Sequence, residues 1–313
     1  MQESIIVLMA ALPVYLILAL GPVVRKTGWL SPEMDKGMMS MAVHIFFPCL
    51  ILDKMLGSEI LRDFGVVVSS ASVGFFLVVA ATGIAWLVAP LIGLKLGSGR
   101  RTFAVAGGLQ NYGYVAIPLM IYLFPGDDVM AVLFTHNLGV ELAMWTIGLM
   151  LLSGNSKPTP RIFLKGPLIA VFAGVILLQT GADYFIPDVL RRTLSMVGFC
   201  AIPISLLLVG TAITDLVGKV KLDWKISLGG ILVRLAMIPI LFLVAAKYLP
   251  IALELKQVLV VQAAMPSAMF PIVLSKHYGG RTDVAAQVVI ATAIVSIISM
   301  PLVITFGKYW IGV

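Results

Sequence analysis

Apolar residues run along this chain in long blocks, with neither the alternation of a strand nor the one-sided stripe of a helix lying on water. Ten blocks stand out, at about 4–24, 34–55, 65–93, 101–124, 128–152, 164–181, 190–217, 225–249, 255–277 and 283–310. A hydrocarbon core of roughly 30 Å needs about 20 mostly apolar residues in helical form, so each block predicts a membrane-spanning helix. A transmembrane barrel would instead show short alternating segments. The expected class is an all-α polytopic protein whose solvent is a lipid bilayer.

Composition agrees: of 313 residues 60% are hydrophobic and 12% charged, and the mean hydropathy is +1.06. No soluble domain of this size carries such a surface. The opening MQES lacks a basic n-region and runs straight into a full-length block, so no cleaved signal peptide is expected. Lys and Arg sort by side. Fourteen fall on the odd-numbered loops, among them Arg25, Arg100, Lys157, Arg161, Lys165, Lys219, Lys221 and Arg281, and seven on the opposite side. The positive-inside bias then makes the odd loops cytoplasmic and puts both termini on the outer, periplasmic side of a plasma membrane, the bacterial inner membrane. Topology thus accounts for the net charge of +7 and no nucleic-acid partner is expected. Cys49 and Cys200 lie inside apolar blocks without metal-ligand companions and read as reduced, buried thiols. The chain has no Walker A loop, no HExxH and no Cys/His cluster, so no metal, cofactor or enzymatic activity is expected.

The two halves of the chain repeat. A shift of 155 residues lays SPEMDKGMMSMAVHIFFP (31–48) over IPDVLRRTLSMVGFCAIP (186–203), matching Pro32 with Pro187, Ser40 with Ser195, Met41 with Met196 and Pro48 with Pro203. The same register pairs Asp128 with Asp283. Residues 1–155 and 156–313 each hold five blocks, and an odd number per repeat requires the second half to enter the membrane inverted. In transporters this arrangement places the substrate between the halves, near the midplane, at helices whose backbone is broken. Two breaks are expected. QNYGYVAIP (110–118) interrupts the fourth block with Gly113 and Pro118, and AAMPSAMFP (263–271) interrupts the ninth with Pro266 and Pro271; the shift carries Asn111 onto Pro266.

Candidate binding groups gather at these breaks. Gln110, Asn111, Tyr112 and Gly113 come from the first, and Met265, Pro266 and Ser267, with Gln262 just before them, from the second. Amide donors beside a half-helix N-terminus suit a carboxylate. His136 and Asn137 form a polar pair in the fifth block, and His136 is also a proton-carrier candidate. Glu141 lies one turn beyond Asn137 on the same face, and Arg234 lies deep in the eighth block. Charged groups at such depth pair or line a path. Two readings of Glu141 and Arg234 stand: a structural pair, or an arginine that attracts an anion and a glutamate that takes up a proton. His44 is a weaker cavity candidate, while Asp128 and Asp283 stand where helix N-caps would.

NYGYVAIPL (111–119), RLAMIP (234–239), MPSAMFPIVLSKHYGG (265–280), ISLLLVGTAI (204–213) and VSIISMPLVI (295–304) resemble the auxin efflux carrier family, the bacterial relatives of the plant PIN carriers, over essentially the full length. The resemblance implies a fold similar to that of the bile-acid sodium symporters. Helices at about 4–55 and 164–217 would form a scaffold and dimer surface, and those at about 65–152 and 225–310 a moving transport domain in which helices 4 and 9 cross. It also implies small organic anions as substrates: auxin-like acids, or mono- and dicarboxylates. Two departures narrow this. Gln110-Asn111-Tyr112 replaces the plant Asn-Pro-Asn crossover, so indole specificity does not carry over, and the second break holds no acidic residue, which argues against sodium coupling. The expected function is secondary active or uniport carriage of a small organic anion by elevator-type alternating access, driven by the membrane potential or by a proton gradient, with a homodimer as the assembly. An anion channel or a membrane metabolite sensor on the same fold is the alternative.

Overall fold

A computed structural model describes residues 2–154, 166–217, 220 and 223–313, with side chains from residue 5. Lys157, Arg161, Lys165, Lys219, Lys221 and the junction between the two halves at residue 155 lie outside the described residues. The described chain is helical, and seven helices are long and apolar enough to cross a membrane. The protein is therefore a multi-pass membrane protein.

These seven are α1 (Gln2–Lys26), α2 (Pro32–Met55), α3 (Phe64–Ile92), α6 (Asp127–Ser153), α8 (Asp188–Leu216), α9 (Trp224–Tyr248) and α12 (Thr282–Ile311). A shorter apolar helix, α7, covers Gly166–Thr180. The blocks at 101–124 and 255–277 are not continuous helices. Each is a pair of half-helices: α4 (Arg100–Gly108) with α5 (Ala116–Leu123), and α10 (Leu253–Ala264) with α11 (Phe270–Tyr278).

Local chemistry sets several ends. Asp63 caps α3 by accepting from Gly65 N at 2.7 Å, and Asp223 caps α9 by accepting from Lys225 N at 2.8 Å. Asp128 and Asp283 are not N-caps; Gly126 and Arg281 hold those positions, and both aspartates sit in the first turn. Asp128 is drawn away by the connection between α2 and α3, where Ser58 Oγ and Ile60 N donate to its Oδ1. Three helices contain a stretch of π-helix, at Ala42–Phe46, Met144–Gly148 and Val233–Met237. Pro48 and Pro239 follow two of them. Each proline lacks the N–H that would continue the regular ladder, so the helix widens just before it.

Packing relies on close backbone approach. A Cβ on Gly21 of α1 would stand 2.3 Å from the Gly210 carbonyl carbon of α8, and Gly139 of α6 would meet the Ala71 oxygen of α3 at 1.8 Å. Gly74 of α3 faces the His136 carbonyl of α6 in the same way, at 2.2 Å. Small residues let helices touch where lipid supplies no hydrophobic drive between them. α2 packs between α7 and α8, and α9, α10 and α12 pack together. At one end, the fully buried Asp183 accepts two bonds from Arg62, the shorter at 2.8 Å, which ties the start of α3 to the α7–α8 turn. Cys49 is half-buried and Cys200 exposed, both free. The expectation of two buried thiols fails for Cys200, because an apolar block in a membrane protein shows one face to lipid.

Candidate functional site

Helical backbone is lost over 109–115 in the first pair and over 265–269 in the second. Leu109 (φ −92°, ψ 115°) ends α4 and Met265 (φ −69°, ψ 138°) ends α10. Pro266 explains the second, since the residue before a proline is pushed out of the α region. At the first, Gly107 and Gly108 weaken the helix and let it approach α3, where a Cβ on Gly108 would meet Thr82 Oγ1 at 2.4 Å. The extended segments then cross as one antiparallel bridge between Gln110 and Ser267. Asn111 N donates to Pro266 O at 2.8 Å, and Ala268 N donates to Leu109 O at 2.9 Å. Pro118 and Pro271 fall in the first turns of α5 and α11, where a helix has no use for their missing N–H groups.

Broken ends leave carbonyls without helical partners, and in lipid each such group costs several kcal/mol. Side chains meet them here. Ser267 Oγ donates to Ala106 O at 2.5 Å, serving the end of α4 from the other half of the molecule. The fully buried Arg234 donates through Nε to Met265 O at 2.9 Å, through Nη2 to Gln262 O at 3.3 Å, and through Nη1 to Gly108 O at 3.5 Å. Arg234 therefore binds backbone from both broken helices. Glu141 is elsewhere: its Oε1 accepts from the Tyr112 hydroxyl and its Oε2 from Trp145 Nε1 at 2.7 Å. The two charges do not form the structural pair that their similar depth suggested.

Beside the crossing lies a cavity of about 170 Å³. Asn111, Tyr112, Gly113, Asn137 and Glu141 all line it, as does Tyr114. α2 and α7 close the far side with apolar residues, among them Val43, Phe47, Leu168 and Val171. Met269 and Phe270, at the start of α11, complete the wall. Tyr114 leans on this far side, its ring 5.6 Å from that of Phe47 and its hydroxyl 3.4 Å from Met39 Sδ. The Tyr112 carbonyl is held by two amides at 3.1 Å, Asn137 Nδ2 and Gln262 Nε2, so both breaks and α6 converge on one backbone atom. Asn111 Oδ1 accepts from Val115 N at 3.4 Å, while its amide nitrogen has no partner among the described residues.

Other candidates stand apart from the cavity. Gln110, Met265, Pro266 and Ser267 form the buried crossing behind it rather than its lining. His136 is fully buried between α6 and α3, with Nδ1–H donating to Asn137 Oδ1 at 3.3 Å. It acts on the cavity only through Asn137. His44 is exposed on α2 and bonds Ser40 O at 2.9 Å.

The sequence model of the family described as membrane transport protein matches residues 6–160 and 157–304. The chain belongs to that family. It is also similar to an uncharacterized transporter of Methanothermobacter thermautotrophicus (strain Delta H), with 23% identity over 295 residues, covering 93% of this chain and 95% of that protein. The candidate site of this transporter lies beside two broken helices. The walls that sequence reasoning missed, on α2 and α7, are plain apolar side chains with no signal of their own. Trp145 had one, since it follows Glu141 by a helical turn.

Proposed function

We propose that this transporter is a secondary carrier or uniporter of small organic anions that works by elevator-type alternating access, and that it belongs with the auxin efflux carriers. Each broken pair counts as one span in this reading, which makes ten spans arranged as two inverted repeats of five. α1, α2, α7 and α8 form the scaffold and the homodimer surface. α3–α6 and α9–α12 move as the transport domain. The membrane is the bacterial inner membrane, with both termini outside.

One observation carries the reading: a cavity lies against the crossing of two broken helices, with the N-terminal ends of α5 and α11 at its edge. Each such end carries about half a positive charge, and the free amide of Asn111 adds donors, a combination that favours a carboxylate. Size narrows the class. A cavity of about 170 Å³ is close to the ~150 Å³ that admits benzene, so ligands of about six to nine non-hydrogen atoms fit. Carboxylates of three to five carbons meet this, whereas an indole acid exceeds it.

In the secondary-carrier form of this reading, Glu141 supplies the coupling. An ionised carboxylate repels an anion in the same low-dielectric cavity, and a protonated one does not. Anion and proton therefore bind together, and Glu141 is the proton's site. Flux of malonate or succinate into liposomes at set pH and potential tests this. Glu141→Gln, a mimic of the protonated group, is expected to keep binding and lose its pH dependence. Flux by Glu141→Gln that follows pH as the wild type does removes the proton role.

A further inference from the structure

We propose that the guanidinium of Arg234 occupies a monovalent-cation site built from the C-terminal ends of both broken helices, so that the protein carries its own cation at the crossing and takes no sodium there. In transporters with broken helices, unwound carbonyls and half-helix C-terminal ends are the groups that coordinate a coupling cation. Here the carbonyls of Gly108, Gln262 and Met265 converge, and a side chain from α9 fills the position between them.

Charge supports the assignment. A helix C-terminus carries about half a negative charge, so the ends of α4 and α10 together offer about one, which matches a single guanidinium. No acidic side chain forms an ion pair with Arg234 among the described residues. Besides the carbonyls, the fully buried group has the ring of Phe242, 5.7 Å from its carbon. A buried cation without a carboxylate partner is stable only where oriented dipoles replace one. The π-helical stretch Val233–Met237, set up by Pro239, holds Arg234 at this depth. The site is joined to the anion cavity without being part of it. Gln262 gives its carbonyl to Arg234 and its side-chain amide to Tyr112 O, whose residue lines the cavity.

The prediction is that removing the side chain leaves a carbonyl cage able to bind a small monovalent cation. Thermal unfolding of the purified protein tests it without any anion. In choline, sodium or potassium chloride at matched ionic strength, the wild type is expected to show one Tm. Arg234→Ala is expected to melt lower in choline and to regain about 3 °C or more, saturably, with sodium, potassium or low concentrations of guanidinium. An Arg234→Ala protein that melts alike in all salts overturns the proposal, as does a sodium-specific rise in the wild-type Tm. Should Arg234→Ala not fold, Arg234→Lys and Arg234→Gln decide. Lys keeps the charge and is expected to melt higher than Gln, and equal or reversed Tm values overturn the proposal. These results are separable from the anion reading, which is scored by anion-induced shifts in the wild type.

Discussion

Gln110 and Ser267 pair as an isolated antiparallel bridge, so the two broken helices meet through backbone and not through side chains alone. The bridge carries two hydrogen bonds, and Ser267 adds a third contact across the crossing through its hydroxyl to Ala106 O. Ser267→Ala removes that donor and leaves a buried helix-end carbonyl unpaired, which costs about 1–3 kcal/mol. The expected outcome is a lower Tm in detergent with anion-induced stabilisation retained, because Ser267 does not line the cavity. Loss of the anion response at unchanged Tm would place Ser267 in the binding site instead.

Gln110 behaves in the opposite way. Its side chain is fully buried, and neither its Nε2 nor its Oε1 has a partner among the described residues. An unpaired buried amide is a cost, so replacement by an apolar side chain of similar shape is neutral or stabilising. Gln110→Met is expected to raise stability by up to about 1 kcal/mol, measured as the midpoint of thermal unfolding. A drop of comparable size would show that the amide is satisfied.

Two glycines separate packing from binding. Gly139 sits against the α3 backbone, where an added Cβ would lie 1.8 Å from Ala71 O, whereas a Cβ on Gly113 meets nothing within 4 Å. Gly139→Ala must push α3 and α6 apart, at a cost of about 1–3 kcal/mol. Gly113→Ala is expected to leave Tm unchanged and to weaken anion binding, because it adds a methyl group to a residue that lines the cavity. Paired melting and binding curves for the two variants check both halves of the statement.

Much of this arrangement is legible along the chain. Pro266 announces one break, and the polar Gln110–Gly113 cluster inside an apolar block announces the other, because lipid tolerates such residues only where protein or ligand receives them. The cavity faces of Asn111, Asn137 and Glu141 also follow from sequence, the last two from their spacing of one helical turn. The partners of Arg234 do not. They are backbone carbonyls, which every residue carries, so depth alone suggested Glu141. Asp128 looks like a cap in the sequence because the competing donors, Ser58 and Ile60, come from a distant connection. The π-helical stretch at Met144–Gly148 has no proline after it, and the apolar walls from α2 and α7 differ in nothing from lipid-facing residues.

The most direct test of the central claim is the thermal shift of wild type and Asn111→Ala with mono- and dicarboxylates of three to five carbons and with an indole acid. A small carboxylate is predicted to raise the Tm of the wild type by several degrees and that of Asn111→Ala by much less, with the indole acid inactive on both. Equal shifts in the two proteins, or none with any carboxylate, would contradict an anion site at the helix crossing.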